Sequence, residues 1–253
     1  MNNLFVSIIT TVRNSEKTIV DALQSVNTQT YKNIEHILID SVSTDKTLDL
    51  VNIYINKSSL VISEMDRGVY DGINKGILRS KGDIIGVLHS DDFYAYNEVI
   101  EDVVKEFNSK DINLLFADLE YVGRENHNKI FRRWNSGPYS SEKLALGWMP
   151  PHPTIFFKKS LVDDLGFFDL KFSISSDYDF ILRYLLNPRV KVGYLPRVII
   201  KMRVGGISNN SIANILKKSI EDYKILKRHN IGGLLTLFLK NIRKFTQFFK
   251  KNN

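Results

Sequence analysis

Asp91 and Asp92 stand side by side where the apolar run Ile84 to His89 gives way to a polar cluster. Two neighbouring carboxylates repel and lose solvation unless positive charge sits between them, and a divalent cation meets that need. Mg2+ or Mn2+ takes oxygen ligands and usually keeps waters and substrate phosphates for the rest of its shell, so one or two carboxylates suffice. The pair could equally cap the turn that follows. Asp40 ends the apolar run Ile34 to Asp40. A carboxylate there can accept a hydrogen bond from a nucleobase imino group or a ribose hydroxyl, or simply cap the turn Ser41 to Thr44. Asp177 and Asp179 follow Ser175-Ser176 at the start of a helical stretch. Either could be an N-cap, and Asp177 could instead be a general base within reach of an acceptor hydroxyl.

Such residues need elements to carry them. Phe5 to Thr11, Ile34 to Asp40, Leu60 to Glu64 and Ile84 to His89 are short runs rich in β-branched residues, and they read as buried strands. Helical stretches alternate with them: Ser15 to Val26, Asp45 to Ile55 with Asp45 as N-cap, Val69 to Ser80 with Gly82 at its end, and Asn97 to Phe107. The expected fold is α/β, a single Rossmann-like, mainly parallel sheet flanked by helices, with ligands at the carboxyl ends of the strands. The polar clusters beginning at Thr11, Asp40, Glu64 and His89 should therefore meet in one crevice. Beyond residue 110, Leu114 to Val122 and Ile130 to Trp134 suggest antiparallel strands. Pro153 to Phe157 reads as a further strand, Asp177 to Leu186 as a helix, and Val190 to Leu195 with Val198 to Val204 as a strand pair joined at Pro196. This divides the chain into a nucleotide-binding half (1–110), an acceptor-binding half (111–208) and C-terminal helices (209–253).

No G-x-G-x-x-G turn follows the first strand and no G-x-x-x-x-G-K-[ST] occurs, which argues against a nicotinamide dehydrogenase and a P-loop NTPase. The absence of cysteine removes disulfide and thiolate chemistry. Of 35 basic residues, eight follow Asp222, and no Asp or Glu does. The body is thus nearly neutral, so nucleic acid is not an expected partner. Within the tail, Leu234, Leu235, Phe238, Ile242, Phe245 and Phe249 share one helical face; Lys240, Arg243, Lys244, Gln247, Lys250 and Lys251 share the other. A basic amphipathic helix suits an anionic bilayer surface, each cation contributing on the order of 1 kcal/mol there. Packing on the body or on a partner subunit is the alternative, and a homodimer is compatible. With no secretion signal or spanning run, the expected location is cytoplasmic, peripheral at the inner face of the plasma membrane.

The order of these pieces resembles the family 2 glycosyltransferases of GT-A fold, in particular members of bacterial surface-polysaccharide synthesis. Thr11-Val12-Arg13-Asn14 and Leu38-Ile39-Asp40-Ser41-Val42-Ser43-Thr44-Asp45 are similar to that family's opening strand and nucleotide loop. Ser63 to Gly76, Gly82 to Asp92, Pro151 to Phe157, and Ser176-Asp177-Tyr178-Asp179-Phe180 with Arg183 resemble four later motifs. The resemblance implies that Thr11, Arg13 and Asp40 face the nucleotide of a UDP-sugar, that Asp66 and Lys75 support it, and that Asp91 binds ribose or metal. Asp92 would hold Mn2+ or Mg2+, and Asp177 would be the base of an inverting transfer. His152 and nearby Trp148 are the candidate acceptor residues, for a lipid-linked or other saccharide. The sequence departs from the pattern at Val42, where Gly is usual, at His89 and at Ser176. A sugar nucleotidyltransferase and an inactive membrane-associated scaffold on the same fold are the competing readings.

Overall fold

The computed structural model describes residues 3–56, 58–205 and 212–249, with side chains of the last segment described from 213 to 243. The first part of the chain alternates strand and helix: β1 (Val6–Val12), α1 (Ile19–Asn27), β2 (Ile34–Asp40), α2 (Thr47–Tyr54), β3 (Leu60–Ser63), α3 (Val69–Arg79) and β4 (Ile84–Val87). The four strands pair in parallel in the order β3-β2-β1-β4. All seven residues of β1 are buried, as expected of a strand covered on both faces. Ile73 and Ile77 of α3 pack over Ile9, Ile37 and Ile39, while Ala22 and Val26 of α1 pack with Val6 and Ile8. Asp45, expected to cap α2, accepts the Thr47 N–H at 3.0 Å.

The chain continues through β5 (Asp92–Tyr94), α4 (Val99–Ser109), β6 (Leu114–Val122), β7 (Ile130–Trp134), α5 (Ser141–Ala145), a 3-10 turn at His152–Thr154, β8 (Phe156–Lys158), α6 (Ser160–Leu165), α7 (Ser176–Leu185) and β9 (Val192–Arg203). β8 lies antiparallel between β4 and β6 and fuses the two parts into one sheet, β3-β2-β1-β4-β8-β6-β9-β5, with β7 paired to β6. The strand pair expected around Pro196 is instead one strand. β9 runs straight through, and its register against β6 jumps from Ala117↔Leu195 to Asp118↔Val198, leaving Pro196 in a bulge where its missing N–H costs no ladder bond. Gly82 likewise ends no helix: α3 stops at Arg79, and a Cβ on Gly82 would lie 2.6 Å from the Ser7 nitrogen.

Two helices close the described chain, α8 (Ile212–Arg228) and α9 (Leu234–Phe249). Lys240 does not lie on a solvated basic face, as the helical wheel suggested. It is 1% exposed and paired with Asp222 at 2.8 Å, while Leu234, Leu235, Phe238 and Ile242 on the apolar face are 40–71% exposed. The helix packs its polar side inward: Thr236 Oγ1 donates to the Ala145 carbonyl at 2.8 Å and Arg243 Nε to that of Leu146 at 3.0 Å. The side chains of Lys244, Phe245, Gln247, Phe249, Lys250 and Lys251 fall outside the described residues. Among the described residues no helix is long and apolar enough to cross a membrane.

The contact of α3 with β1 has no slack, because a Cβ on Gly76 would stand 2.4 Å from Ile9 Cγ2. Gly76→Ala is expected to destabilise the fold by about 1–3 kcal/mol, the usual cost of forcing extra atoms into a packed core. Urea unfolding checks this, and an unchanged midpoint would show that the helix can shift freely.

Candidate active site

All four strand-end clusters are bonded into one set, the Glu64 N–H donating to the Asp40 carbonyl at 2.9 Å. The Asn14 N–H donates to Ser43 Oγ at 2.9 Å and the Thr44 N–H to Asn14 Oδ1 at 2.8 Å, joining the loops after β1 and β2. Ser15 Oγ and Ser90 Oγ are 3.0 Å apart, joining the loops after β1 and β4. Asp40 is fully buried and organises its own turn: it accepts the Ser43 N–H at 3.1 Å, the Ser43 hydroxyl at 2.5 Å and the Ser63 hydroxyl of β3 at 2.6 Å. Those bonds hold Val42 at φ +51°, a conformation that a β-branched residue rarely adopts and that costs on the order of 1–3 kcal/mol. The departure from Gly at this position leaves the left-handed turn in place.

Thr11 and Asp66 come together over Gly72, whose added Cβ would meet Thr11 Cγ2 at 2.9 Å and Asp66 Oδ2 at 3.3 Å. Asp66 also accepts the Gly68 N–H at 3.0 Å, fixing the turn into α3. Lys75, from α3, is half-buried and lies 3.3 Å from Glu64, with Asp71 at 3.9 Å. Arg13 is exposed at the end of β1.

The two adjacent aspartates have different surroundings. Asp91 is half-buried in the turn, whereas Asp92 begins β5 and is fully enclosed. Asp92 Oδ1 accepts the Arg203 N–H at 3.3 Å, and Oδ2 has no hydrogen-bond partner. Burial, with Asp91 beside it, pushes the Asp92 carboxyl well above its usual range. Asp92 is thus the enclosed member of the pair, and Asp91 the one nearer the opening. Among the described residues no trio of His, Cys, Asp and Glu converges on a possible metal position. A Mg2+ or Mn2+ ion would therefore depend on Asp91 and on donor phosphate oxygens, a shell such hard cations accept.

Arg203, which sequence reading missed, holds this turn. Its Nη1 donates to the Asp91 carbonyl at 2.7 Å, its Nη2 pairs with Asp21 of α1 and approaches His127 Nε2 at 3.0 Å, and the side chain is 2% exposed. An arginine closing the strand after Val198-Ile199-Ile200 was the available signal.

Asp177 sits in the first turn of α7 and is brought to the end of β4. His152 Nδ1, from the 3-10 turn, lies 3.2 Å from Asp177 Oδ2; the Tyr70 hydroxyl lies 3.2 Å from Oδ1. His89 Nε2, at the end of β4, lies 3.3 Å from His152 Nε2. Burial opposes the ionised form of Asp177, but the opposing charge of His152, helped by Lys218 and Lys240, outweighs it and holds the carboxyl below its usual value. The result is a carboxylate ready to accept a proton. Asp179, the other candidate cap, instead turns inward to His229 Nε2 at 2.9 Å. Trp148, expected at the acceptor, is buried against Phe116 with its indole N–H given to the Ser136 carbonyl at 2.9 Å, so it presents no free edge. Tyr70 stands beside Asp177, a place that sequence reading left unassigned, although it lies inside the Ser63 to Gly76 motif.

A helix-covered sheet with linked loops over the ends of its parallel strands, and an ionised carboxylate brought to that end, is the architecture of a GT-A type transferase. Residues 7–164 match the family model described as Glycosyl transferase family 2, and the chain belongs to that family. It is a glycosyltransferase. A PGL/p-HBAD biosynthesis glycosyltransferase of Mycobacterium tuberculosis is 27% identical over 226 residues, covering 88% of this chain and 82% of the relative. Among solved structures, S. aureus TarS 1–349 in complex with UDP-GlcNAc superposes with a TM-score of 0.72 at 19% identity, over 89% of this chain and 65% of that one. The mannosyltransferase PcManGT of Pyrobaculum calidifontis, in complex with GDP-Man and Mn2+, gives 0.67 at 16% identity over 98% of this chain and 74% of that one.

Because His152 lowers the Asp177 carboxyl, replacing it has a signed effect. His152→Gln keeps a hydrogen-bonding group but removes the opposing charge, so Asp177 becomes protonated at higher pH. The acid limb of the rate–pH profile should move upward, and a limb that stays in place would sever the link between the two residues.

Proposed function

We propose that the protein is an inverting glycosyltransferase that moves one sugar from a nucleotide-sugar, favouring UDP, to an acceptor hydroxyl on a lipid-linked saccharide in surface-polysaccharide synthesis. The observation that carries this reading is the ionised Asp177 carboxylate, held by His152 and Tyr70 at the end of β4 where the donor loops meet. Asp177 accepts the proton of the acceptor hydroxyl as its oxygen bonds to the anomeric carbon, on the face opposite the leaving group. The bond from that carbon to the diphosphate breaks, and the nucleoside diphosphate leaves with the electron pair. No covalent sugar–enzyme intermediate is needed.

On the donor side, Asp40, Thr11, Asp66 and Lys75 line the linked loops, and exposed Arg13 is free to swing onto a phosphate. Asp91 would hold a Mg2+ or Mn2+ ion, which when bound neutralises charge on the departing diphosphate. The bound sugars in the two structural neighbours, UDP-GlcNAc and GDP-Man, support a nucleotide-sugar donor, and the Mn2+ in one supports metal dependence. The nucleotidyltransferase reading gains nothing from the geometry, since Asp177 as a base has no role in it. His152 remains beside the acceptor path, but as a partner of Asp177.

Asp177→Asn in the purified protein should lower turnover roughly 10²–10⁴-fold, the usual contribution of a positioned base, while binding of UDP-sugar persists. Asp91→Asn should instead weaken the response of donor binding to added Mn2+. Retained turnover in the Asp177 variant would defeat the base assignment.

The exposed apolar face of α9 supports a peripheral position on the inner face of the plasma membrane. Ile215, Leu216 and Ile220 of α8 are also more than half or about half exposed and could extend that surface. Replacing Leu235 and Phe238 together by Ser should release the protein from phosphatidylglycerol-containing vesicles without altering turnover of a soluble acceptor. Undiminished sedimentation with those vesicles would rule this surface out.

A further inference from the structure

The C-terminal helices reach the segment that bears the catalytic base. The backbone N–H groups at the start of a helix have no partners within it, and the N-cap of α7, Ser175, makes no capping bond with its own side chain. Glu221 of α8 grips the N-cap N–H and the turn that leads into it. Its carboxylate takes the N–H groups of Ser173, Ile174 and Ser175 at 3.1, 2.9 and 2.9 Å, together with the Ser173 hydroxyl at 3.1 Å. The Tyr70 hydroxyl lies 2.8 Å from the Ile174 carbonyl and 3.2 Å from Asp177 Oδ1, sharing its single proton between them, so the clamped turn also fixes where Tyr70 stands beside Asp177.

One residue along α8, Asp222 pairs with Lys240 of α9 at 2.8 Å, and the Lys240 ammonium stands 3.1 Å from the ring centroid of Tyr178, the neighbour of Asp177. Lys240 is 1% and Asp222 2% exposed. Burying two charges is costly, and an apolar pair of similar volume would pack as well, so the ion pair is weak support for stability. What it does supply is a fixed register between α9 and the first turn of α7, and a cation close to the base. A third tie runs from the end of α8, where Arg228 and His229 meet Asp179 at 3.2 and 2.9 Å.

We infer that Glu221 and Lys240 are positioning residues for Asp177: the two C-terminal helices are part of the catalytic apparatus, and the helix proposed to face the membrane is built into the base. This rests on the reading of Asp177 as the base. Besides His152 and Tyr70, the charged and titratable groups acting on or felt by Asp177 are His89 after β4, Tyr121 in β6, and Lys218, Asp222 and Lys240 on α8 and α9. Lys240 is the member that α9 contributes.

The experiment uses the full chain with a nucleotide-sugar donor and a soluble acceptor, comparing Glu221→Gln, Lys240→Met, Lys240→Arg, the double variant Asp222→Asn/Lys240→Met, and Asp177→Asn. Glu221→Gln and Lys240→Met are expected to lower kcat about 10-fold or more, as misplacement of a reacting group by a fraction of an ångström does, with donor KM within about twofold. Lys240→Met should also move the acid limb of the kcat profile upward, and Lys240→Arg should restore both. The double variant removes the pair without stranding a charge. It keeps the chain folded where Lys240→Met does not, and it should show the same loss in kcat. A merely structural role would lower the unfolding temperature but leave kcat and the acid limb of the folded protein unchanged. Wild-type kcat in Glu221→Gln and in the double variant, with Asp177→Asn inactive, would overturn the inference. Turnover surviving in Asp177→Asn would instead overturn the assignment of the base itself.

Discussion

A carboxylate enclosed by protein stays ionised only while positive charge and hydrogen-bond donors are kept beside it, and Asp177 makes that demand on several separate parts of the chain. Tyr70 comes from the first turn of α3, His152 from the 3-10 turn before β8, and Lys218 and Lys240 from α8 and α9. None is near Asp177 in sequence. The sheet brings the first two together: β8 lies beside β4, so the turn before β8 opens at the end where β4 delivers His89. The insertion of β8 between β4 and β6 thus decides where His152 and Asp177 meet the loops at the ends of the parallel strands.

The donor side is held by a different device. Among the described residues no cation forms an ion pair with Asp40; hydroxyls and a backbone N–H occupy its oxygens, and in doing so they hold Val42 at a positive φ. Strain of this kind persists only where surrounding bonds over-determine the turn. Arg203 does the equivalent for the turn at Asp91, converting the far end of β9 into a support for a loop more than a hundred residues earlier. Both turns are therefore held by bonds from within the protein itself.

Much of the parallel part of the sheet was legible because its strands are β-branched runs ending in polar clusters, a pattern that survives without knowledge of tertiary contacts. Ile34–Asp40 and Leu114–Val122 coincide with the strands observed. Local rules failed where a partner strand changed their meaning. Pro196 looked like a break but sits in a bulge, and Gly82 looked like a helix end but answers to the closeness of Ser7. The same limit applied to the site. Spacing located Asp91, Asp92 and Asp177, yet two adjacent carboxylates do not reveal which one the pleat turns inward. Here β5 pairs with β9 and takes Asp92 into the core, leaving Asp91 at the opening. The charges that tune Asp177 were invisible because they are contributed across long sequence separations.

The tail shows why a helical wheel is only half of an argument. Periodicity establishes that α9 has an apolar and a basic face, but which face meets the body depends on what the body offers. At this place it offers a buried carboxylate, Asp222, an aromatic ring, Tyr178, and the free carbonyls of Ala145 and Leu146. Polar groups that are already buried lose more by staying unpaired than apolar side chains lose by staying in water, since a stranded buried charge costs several kcal/mol while an exposed leucine forgoes roughly 1.5–3 kcal/mol. Lys240 is therefore drawn inward, and Leu234, Leu235 and Phe238 are left outward. The ionic demand of the segment around Asp177 thus determines which surface of the tail faces away from the body, so the setting of Asp177 and the character of that outer surface have one common origin.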